Sequence, residues 1–217
     1  MLTVTQGQLK NDFECDGIVL LKATFDYPIV SGTTNRAARR INGYYKQIAS
    51  TLMKRARSEL LPAAIDEYKY ATENGYPFRP YETVMKFTVS YNDQDILSLY
   101  YDVYDYMGGA HGSTRRFGDT WRSSTGWFLC LTDFFPRGTN VRRLLTDNAI
   151  YIAQKQQAEG THSYYDDYPK LIRRHFNRSK FYIVPEGVAI FYDQYAIGPY
   201  VEGIPVFVYE TEIKTYP

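Results

Sequence analysis

Apolar positions recur with a period of two in the middle of the chain. In residues 81–91 the odd positions are mostly apolar, whereas charged and hydroxyl side chains fill most of the even positions. This alternation is the signature of a half-buried strand. Residues 96–106 repeat the pattern after the turn-forming residues 92–95, so the two segments predict a β-hairpin.

Tyrosines concentrate on one face of the second strand of this hairpin. We expect the core face to consist of Leu97, Leu99, Tyr101 and Val103. We expect the outer face to consist of Ser98, Tyr100, Asp102, Tyr104 and Tyr106. Because a tyrosine ring is large and rigid and carries a polar tip, this outer face suits either the rim of a core or a recognition surface.

A helical period precedes the hairpin. Apolar side chains recur there at steps of three and four residues, at Ile41, Tyr45, Ile48, Leu52, Ala56 and Leu60. This stripe predicts a long helix that lies against a sheet, with Thr33 or Thr34 as its cap. Pro62 is expected to kink or split the helix, which then ends near residues 74–75.

The remaining segments predict a fold in which strands and helices are segregated. Further strands are expected at residues 17–30, 114–121, 127–131, 181–184, 188–192 and 204–210. Two shorter helices are expected, one capped by Asn140 and one that follows Pro169. The pattern predicts an α+β fold with a mostly antiparallel sheet packed against a long helix and two shorter ones.

The size and composition of the chain narrow the class of protein. It has 217 residues, of which 44% are hydrophobic and 23% charged, and its net charge is +1. The apolar share excludes a disordered chain, and no apolar run approaches the about 20 residues of a membrane span. We expect either one globular domain or two small ones, with boundaries at 1–105 and 106–217 and one shared core.

The amino terminus and the cysteines bear on location and redox chemistry. Residues 1–10 lack the features of a secretory signal, so the chain as written is expected to be cytoplasmic, and extracytoplasmic if a leader was trimmed. Cys15 and Cys130 are too few for a disulfide framework, and Cys130 is expected to be buried in its apolar run. Neither residue has metal-ligand spacing, so we expect no metal and no cofactor.

One glycine-rich loop holds the first candidate site. Three glycines flank His111 within residues 108–112 and allow the backbone to approach a partner closely. His111 fits a turn-stabilising role, a binding contact, or a general base of a hydrolase. In the hydrolase reading Asp105 orients the imidazole and Ser113 is the nucleophile, although no Gly-x-Ser-x-Gly elbow accompanies them.

Basic residues concentrate on the first helix. No acidic residue interrupts the series Arg36, Arg39, Arg40, Lys46, Lys54, Arg55 and Arg57. This face from Arg36 to Arg57 is typical of a solvated helix surface, and it is also compatible with a nucleic-acid backbone or an anionic membrane. Because the aromatic residues of a nucleic-acid module are not interleaved with it, we expect neither nucleic acid nor membrane as a partner and keep nucleic-acid binding as an alternative.

A second candidate site lies near the carboxyl end. Residues 191–203 are dense in tyrosine, glycine and proline, and they include Tyr195, Pro199 and Tyr200. Ordered loops of this composition often carry recognition. The alternative is a bulged crossover whose tyrosines cover the edge of a sheet.

Three motifs in the chain resemble a known pair of domains. They are Tyr-x-Tyr-Met-Gly-Gly-Ala-His-Gly at 104–112, a Thr-Gly turn at 125–126 that leads into Leu-Thr-Asp-Phe-Phe at 131–135, and the pattern Phe-x-x-x-Tyr-x-Ile-x-Pro-Tyr-x-x-Gly at 191–203. Together they are similar to the paired domains of unknown function in RsiV-type anti-sigma factors and in the accessory region of PdaC-type peptidoglycan deacetylases. The resemblance covers nearly the whole chain.

The resemblance implies an α+β domain that senses a ligand without catalysis. In the anti-sigma members this domain binds lysozyme, so a lysozyme-like protein or a cell-wall glycan is the expected partner. The implied recognition residues are Tyr106, Gly109, His111, Tyr195, Pro199 and Tyr200. The chain lacks the sigma-binding and deacetylase segments of those proteins, so neither of their activities is expected here.

Overall fold

A computed structural model of the chain describes residues 1–216 and has the predicted α+β fold. Six strands form a first sheet in the order β1-β2-β3-β4-β5-β6: β1 (Thr3–Cys15), β2 (Ile18–Ser31), β3 (Tyr81–Asp93), β4 (Ile96–Tyr106), β5 (Ser113–Arg122) and β6 (Trp127–Phe128). Three strands form a second sheet: β7 (Phe181–Val184), β8 (Gly187–Phe191) and β9 (Val206–Glu210). The α-helices are α1 (Asn35–Arg55), α2 (Leu61–Asn74), α3 (Val141–Ala158) and α4 (Tyr168–His175).

The chain divides into two compact units. The amino-terminal unit contains Leu2–Phe87 and Tyr101–Thr114. The carboxy-terminal unit contains Thr88–Tyr100 and the described residues from Arg115 onward. The boundary therefore falls within β3, within β4 and within β5.

The amino-terminal unit is built on a long hairpin of β1 and β2. The two strands are antiparallel, whereas β2 and β3 are parallel, with Leu21 opposite Tyr81. The parallel pair follows from the helical crossover that separates the two strands. Helix α1 packs against β2, and its buried stripe includes Ile41 and Tyr45, as predicted. The side-chain oxygen of Thr34 caps the helix by accepting a hydrogen bond from the Ala37 amide at 3.2 Å.

The predicted interruption of the long helix is confirmed. Residues Ala56–Leu60 form a π-helical turn between α1 and α2, and Pro62 lies in the first turn of α2. A proline ring clashes with the carbonyl four residues earlier, which removes the regular α-helical hydrogen bond there. Helix α2 ends at Gly75, whose φ of 70° is the left-handed conformation typical of a helix end. Within residues 1–216, none of the helices combines the length and the apolar character that crossing a membrane requires.

The carboxy-terminal unit has its own core. This core contains buried side chains from the start of β4, from α3 and α4 and from β7 to β9. They include Ile96, Leu145, Ile172, Ile183 and Phe207. Asn140 caps α3, as predicted, by accepting a hydrogen bond from the Arg143 amide at 3.1 Å. Positive φ angles at Gln94 and Asp95 form the tight turn between β3 and β4 that the sequence predicts.

The expected outer face of β4 is only partly exposed. Ser98 is buried, and its hydroxyl lies 2.8 Å from the hydroxyl of Thr120 and accepts a hydrogen bond from the Ile183 amide at 2.8 Å. Tyr106 is buried as well. The prediction of a continuous tyrosine-lined outer face is therefore wrong at these two positions, because neighbouring segments cover them.

The predicted strand at residues 127–131 is shorter than expected. Pairing stops after Phe128, and a 3₁₀ turn at Leu131–Phe134 follows. The carboxylate of Asp133 accepts a hydrogen bond from the Cys130 amide at 2.8 Å and fixes the start of that turn. Cys130 is exposed, so the prediction of a buried thiol is wrong.

Candidate functional site

The loop after β8 presents two neighbouring tyrosines. Tyr195 is 51% exposed, and its backbone has a φ of 64°. The ring centroid of Tyr200 lies 5.8 Å from that of Tyr195, with an angle of 36° between the ring planes. Pro199 lies directly before the 3₁₀ turn Tyr200–Glu202. We call Tyr195, Pro199 and Tyr200 the tyrosine surface.

Hydrogen bonds on both sides hold the loop that carries the tyrosine surface. The buried Ile197 accepts a hydrogen bond from the Tyr165 amide at 3.0 Å, and Glu202 accepts one from the Ser163 amide at 2.6 Å. A Cβ at Gly198 would lie 3.2 Å from the carbonyl oxygen of Ser163, so the two segments approach closely at this glycine. The loop is thus a fixed platform, as recognition by a rigid surface requires.

Two buried phenols lie in the same unit as this loop. The hydroxyl of Tyr164 donates to the side chain of Gln156 at 2.8 Å, and burial together with the charge of Glu202 raises its pKa to about 12. The hydroxyl of Tyr192 donates to the carbonyl of Ile172 at 3.2 Å, and burial raises the pKa of this phenol strongly. Both groups therefore resist ionisation in the folded protein.

These two phenols predict a loss of stability in alkali. An unfolded tyrosine ionises near pH 10, whereas Tyr164 keeps its proton to about pH 12 in the folded protein and Tyr192 keeps its proton still longer. The unfolded state thus binds fewer protons above pH 10, and the free energy of unfolding falls by up to about 1.4 kcal/mol per pH unit for each phenol. Urea unfolding at several pH values measures this slope. Tyr192→Phe should make it shallower, whereas the exposed control Tyr151→Phe should leave it unchanged, and equal slopes in all three proteins would contradict the assignment.

The glycine-rich loop of the amino-terminal unit is supported by Tyr106. The tyrosine hydroxyl donates to the carbonyl of Gly109 at 3.1 Å, and the guanidinium of Arg79 lies 4.4 Å from the centroid of the ring. Gly108 and Gly109 have φ angles of 84° and 81°, which only glycine adopts without strain. Gly109 and His111 are exposed, so the structure places them at the surface and Tyr106 beneath them.

His111 lies on this exposed loop. Its Nδ1 is 3.4 Å from the carbonyl oxygen of the neighbouring Gly112. A Cβ at Gly112 would lie only 2.5 Å from the Tyr104 ring, which explains why glycine occupies this position. Ser113 is exposed at the start of β5.

Asp105 forms the centre of a buried polar cluster. Its carboxylate is 6% exposed and accepts hydrogen bonds from the Arg55 guanidinium at 3.0 and 3.1 Å and from the Thr83 hydroxyl at 2.7 Å. These bonds tie the last residue of α1 to β3 and β4. The hydrolase hypothesis, in which Asp105 orients His111, stays a prediction of the sequence.

The basic face of α1 is smaller than its sequence suggests. Arg36, Arg39, Lys46, Lys54 and Arg57 are exposed. Arg55 is half-buried and paired with Asp105, and it also lies 3.6 Å from Glu59. Arg55 is therefore engaged with a buried carboxylate. The nucleic-acid alternative depends on the other basic residues of α1.

A cavity in the carboxy-terminal unit was missed from the sequence. It has a volume of about 390 Å³ and is bordered by β5, β6, the following 3₁₀ turn and β7. Gly118 within β5 was the available signal, because a glycine inside a strand often marks a close approach of another backbone. Residues 1–216 contain no group of three or more His, Cys, Asp or Glu side chains placed to hold a metal ion.

The fold defines a two-unit α+β protein, and two family models match successive parts of the chain. Residues 19–114 match the family model described as Deacetylase PdaC, and residues 132–209 match the one described as Protein of unknown function (DUF3298). The chain thus matches the two family models one after the other, and the paired-domain resemblance stated from its motifs is confirmed. The comparison with curated proteins found no match.

Two crystal structures share the fold. A member of the DUF3298 family from Bacteroides fragilis has a TM-score of 0.71 and 19% sequence identity, and the alignment covers 96% of this chain and 90% of that one. A DUF3298 family protein from Pseudomonas aeruginosa has a TM-score of 0.59 and 17% identity, with 97% and 90% covered. At these low sequence identities, the similarity shows a shared fold and nothing about function.

Proposed function

We propose that this chain is a non-catalytic binding module that captures a protein partner through its tyrosine surface. The observation that carries the proposal is the conformation of Tyr195. The backbone of this residue has a positive φ, and its ring is half exposed. A left-handed conformation costs a non-glycine residue about 1 to 2 kcal/mol. Strain of this kind concentrates at functional sites, where the side chain is needed at that position.

The form of the surface favours a protein over a glycan. Tyr195 and Tyr200 lie beside each other on an ordered loop, and the neighbouring Val201 is almost fully exposed. Rigid tyrosines next to apolar surface are typical of protein interfaces, because they bury a large area with little loss of conformational entropy. The anti-sigma domains that the sequence motifs resemble bind lysozyme, which makes lysozyme the first probe.

The glycine-rich loop supplies a second proposed contact. His111 and Gly109 are exposed there, and the bond from Tyr106 to Gly109 keeps the loop in one conformation. A pre-ordered loop loses less entropy on binding than a flexible one. His111 then acts as a hydrogen-bonding contact.

The test separates binding from stability at Tyr195. Tyr195→Gly removes the ring and relieves the backbone strain, so the free energy of unfolding should stay unchanged or rise by up to about 1 kcal/mol. The same variant should weaken the partner Kd by roughly thirtyfold, the effect of losing a hot-spot residue worth about 2 kcal/mol. Affinity is measured with immobilised lysozyme first, and then with proteins captured from extract of the source cells.

A second variant, Tyr195→Ala, also removes the ring, and Tyr151→Ala is its matched control. It also removes an exposed ring from the carboxy-terminal unit, on α3, and it should leave capture unchanged. If wild type, Tyr195→Ala and Tyr195→Gly capture the same proteins, the tyrosine surface is not the binding site. A large loss of stability in Tyr195→Gly would reassign the ring to a structural role.

A further inference from the structure

The cavity beside β5 has walls of three chemical kinds. Aromatic rings come from Phe128 and Phe181, charged groups come from Asp119 and Arg178, and a thiol comes from Cys130. Its volume of about 390 Å³ is at the low end of the about 300 to 1,000 Å³ that small-molecule sites occupy. The cavity uses none of the residues of the tyrosine surface or of the glycine-rich loop.

The walls of this cavity are held by main-chain contacts. A Cβ on Gly118 would collide with the carbonyl oxygen of Phe181, so β5 and β7 approach each other here as closely as a glycine allows. The Leu129 amide donates to the carbonyl of Thr120 at 2.8 Å. The bond from Cys130 to Asp133 fixes the start of the 3₁₀ turn. These contacts preform the cavity.

An aromatic platform forms one side of the cavity. The Phe128 ring is partly exposed and stacks on the buried Trp121, with ring centroids 3.7 Å apart and an angle of 27° between the planes. Stacking on a buried indole fixes the position of the phenylalanine. The face of such a ring carries partial negative charge and attracts weakly positive C–H groups.

Two charged side chains border the cavity: the Asp119 carboxylate is an acceptor and the Arg178 guanidinium is a donor. The carboxylate of Asp119 is only 9% exposed, whereas Arg178 is exposed. Among the residues that the structure describes, no carboxylate lies within ion-pair distance of the Arg178 guanidinium. The hydroxyls of Thr132 and Ser179 add further donors and acceptors.

This combination selects a neutral ligand. The opposite charges of the two walls offset each other, so a charged ligand would gain little net attraction while losing its hydration in a partly dry site. A ligand with an apolar ring face and several hydroxyl or amide groups satisfies the platform, the donor and the acceptor at once. A pyranose ring has this form, and its axial C–H groups pack on an aromatic face.

We propose that the cavity lined by Phe128, Asp119 and Arg178 binds a neutral saccharide unit of one or two rings. Asp119 accepts hydrogen bonds from hydroxyl or amide N–H groups, and Arg178 donates to hydroxyl or carbonyl oxygens. Phe128 supports the face of the ring. This site is separate from the tyrosine surface and does not depend on a protein partner there.

The experiment titrates the full chain with defined sugars and follows backbone amide signals by NMR. The probes are glucose, N-acetylglucosamine, glucuronate and glucosamine, which keep a similar ring and differ in charge. We expect the two neutral sugars to bind with Kd values of roughly millimolar size, with the largest shifts at residues 118–132 and 178–181. Glucuronate and glucosamine should bind at least several-fold more weakly.

Two variants assign the binding to this cavity. Arg178→Gln changes an exposed side chain and should weaken N-acetylglucosamine binding about tenfold, the effect of losing one hydrogen bond to a charged group. Arg174→Gln on α4 is the matched control and should bind like wild type. Tyr195→Ala should also bind the sugar normally, so failure of the tyrosine surface and failure of this site give different results.

Cys130 provides a second readout that does not require signal assignment. In a Cys15→Ser background it is the single remaining thiol, and bound sugar should slow its alkylation by a maleimide. Absence of saturable binding overturns the proposal, and so does tighter binding of either charged sugar, which would indicate a different ligand class. Equal affinity in wild type and Arg178→Gln would also overturn it.

Discussion

Replacing Arg55 with methionine is expected to lower the free energy of unfolding by about 3 to 5 kcal/mol, as the loss of one partner of a buried ion pair does. Methionine keeps the apolar stem of the side chain, so the change acts chiefly on charge. It leaves the buried carboxylate of Asp105 without the two guanidinium bonds that it now accepts. The hydrogen bond from the Thr83 hydroxyl does not replace them, because it brings no positive charge.

Arg36→Met is the control for this prediction. Arg36 is exposed in the first turn of the same helix, and its loss should change stability by less than about 0.5 kcal/mol. Urea unfolding of both variants measures the difference. Similar small effects would show that Asp105 is adequately satisfied by its other contacts, and the cluster would lose its assigned role at the end of α1.

The same arginine shows where reasoning from the sequence stopped. Arg55 is one of seven basic residues in a stretch without acidic ones, and nothing in their spacing singles it out. Its partner lies fifty positions later in the chain, on a different strand. Ion pairs between distant segments depend on the tertiary fold, so local periodicity cannot reveal them.

Elements with strong local signals were predictable. The β3–β4 hairpin follows from alternation and a turn of four polar residues, and the break before Pro62 follows from the geometry of proline. Strand β1 was missed because its inward positions include the buried Gly7 and the half-buried Asn11, so alternation of apolar residues is weak there. Pairing along nearly the whole of β2 stabilises this strand in place of a strong apolar pattern.

Of the two proposed binding sites, one was indicated by local sequence and one was not. Composition indicated the loop that contains Tyr195 and Tyr200, because tyrosine, glycine and proline are dense in it. Neither the positive φ of Tyr195 nor the stacking of Phe128 on Trp121 is encoded in local sequence. The cavity beside β5 was missed for that reason, since its walls come from segments as far apart in the chain as Gly118 and Phe181.

The two tryptophans of the chain are expected to differ sharply when each is replaced by alanine. Trp121 is fully buried in β5, opposite Phe128 in the register of β5 and β6, and Trp121→Ala should cost about 3 to 5 kcal/mol because a large cavity replaces the indole. Trp127 on the adjoining strand is 62% exposed, and Trp127→Ala should cost less than about 0.5 kcal/mol. Urea unfolding at neutral pH measures both.

Each variant also retains a single tryptophan, so fluorescence reports the environment of the other. Emission of Trp121 in Trp127→Ala should be blue-shifted, and emission of Trp127 in Trp121→Ala should be red-shifted, because burial removes water from the indole. Trp121→Ala should also weaken N-acetylglucosamine binding, since Phe128 loses the ring that positions it. Equal destabilisation by the two changes would contradict the burial of Trp121, and unchanged sugar affinity in a folded Trp121→Ala would remove Phe128 from the saccharide site.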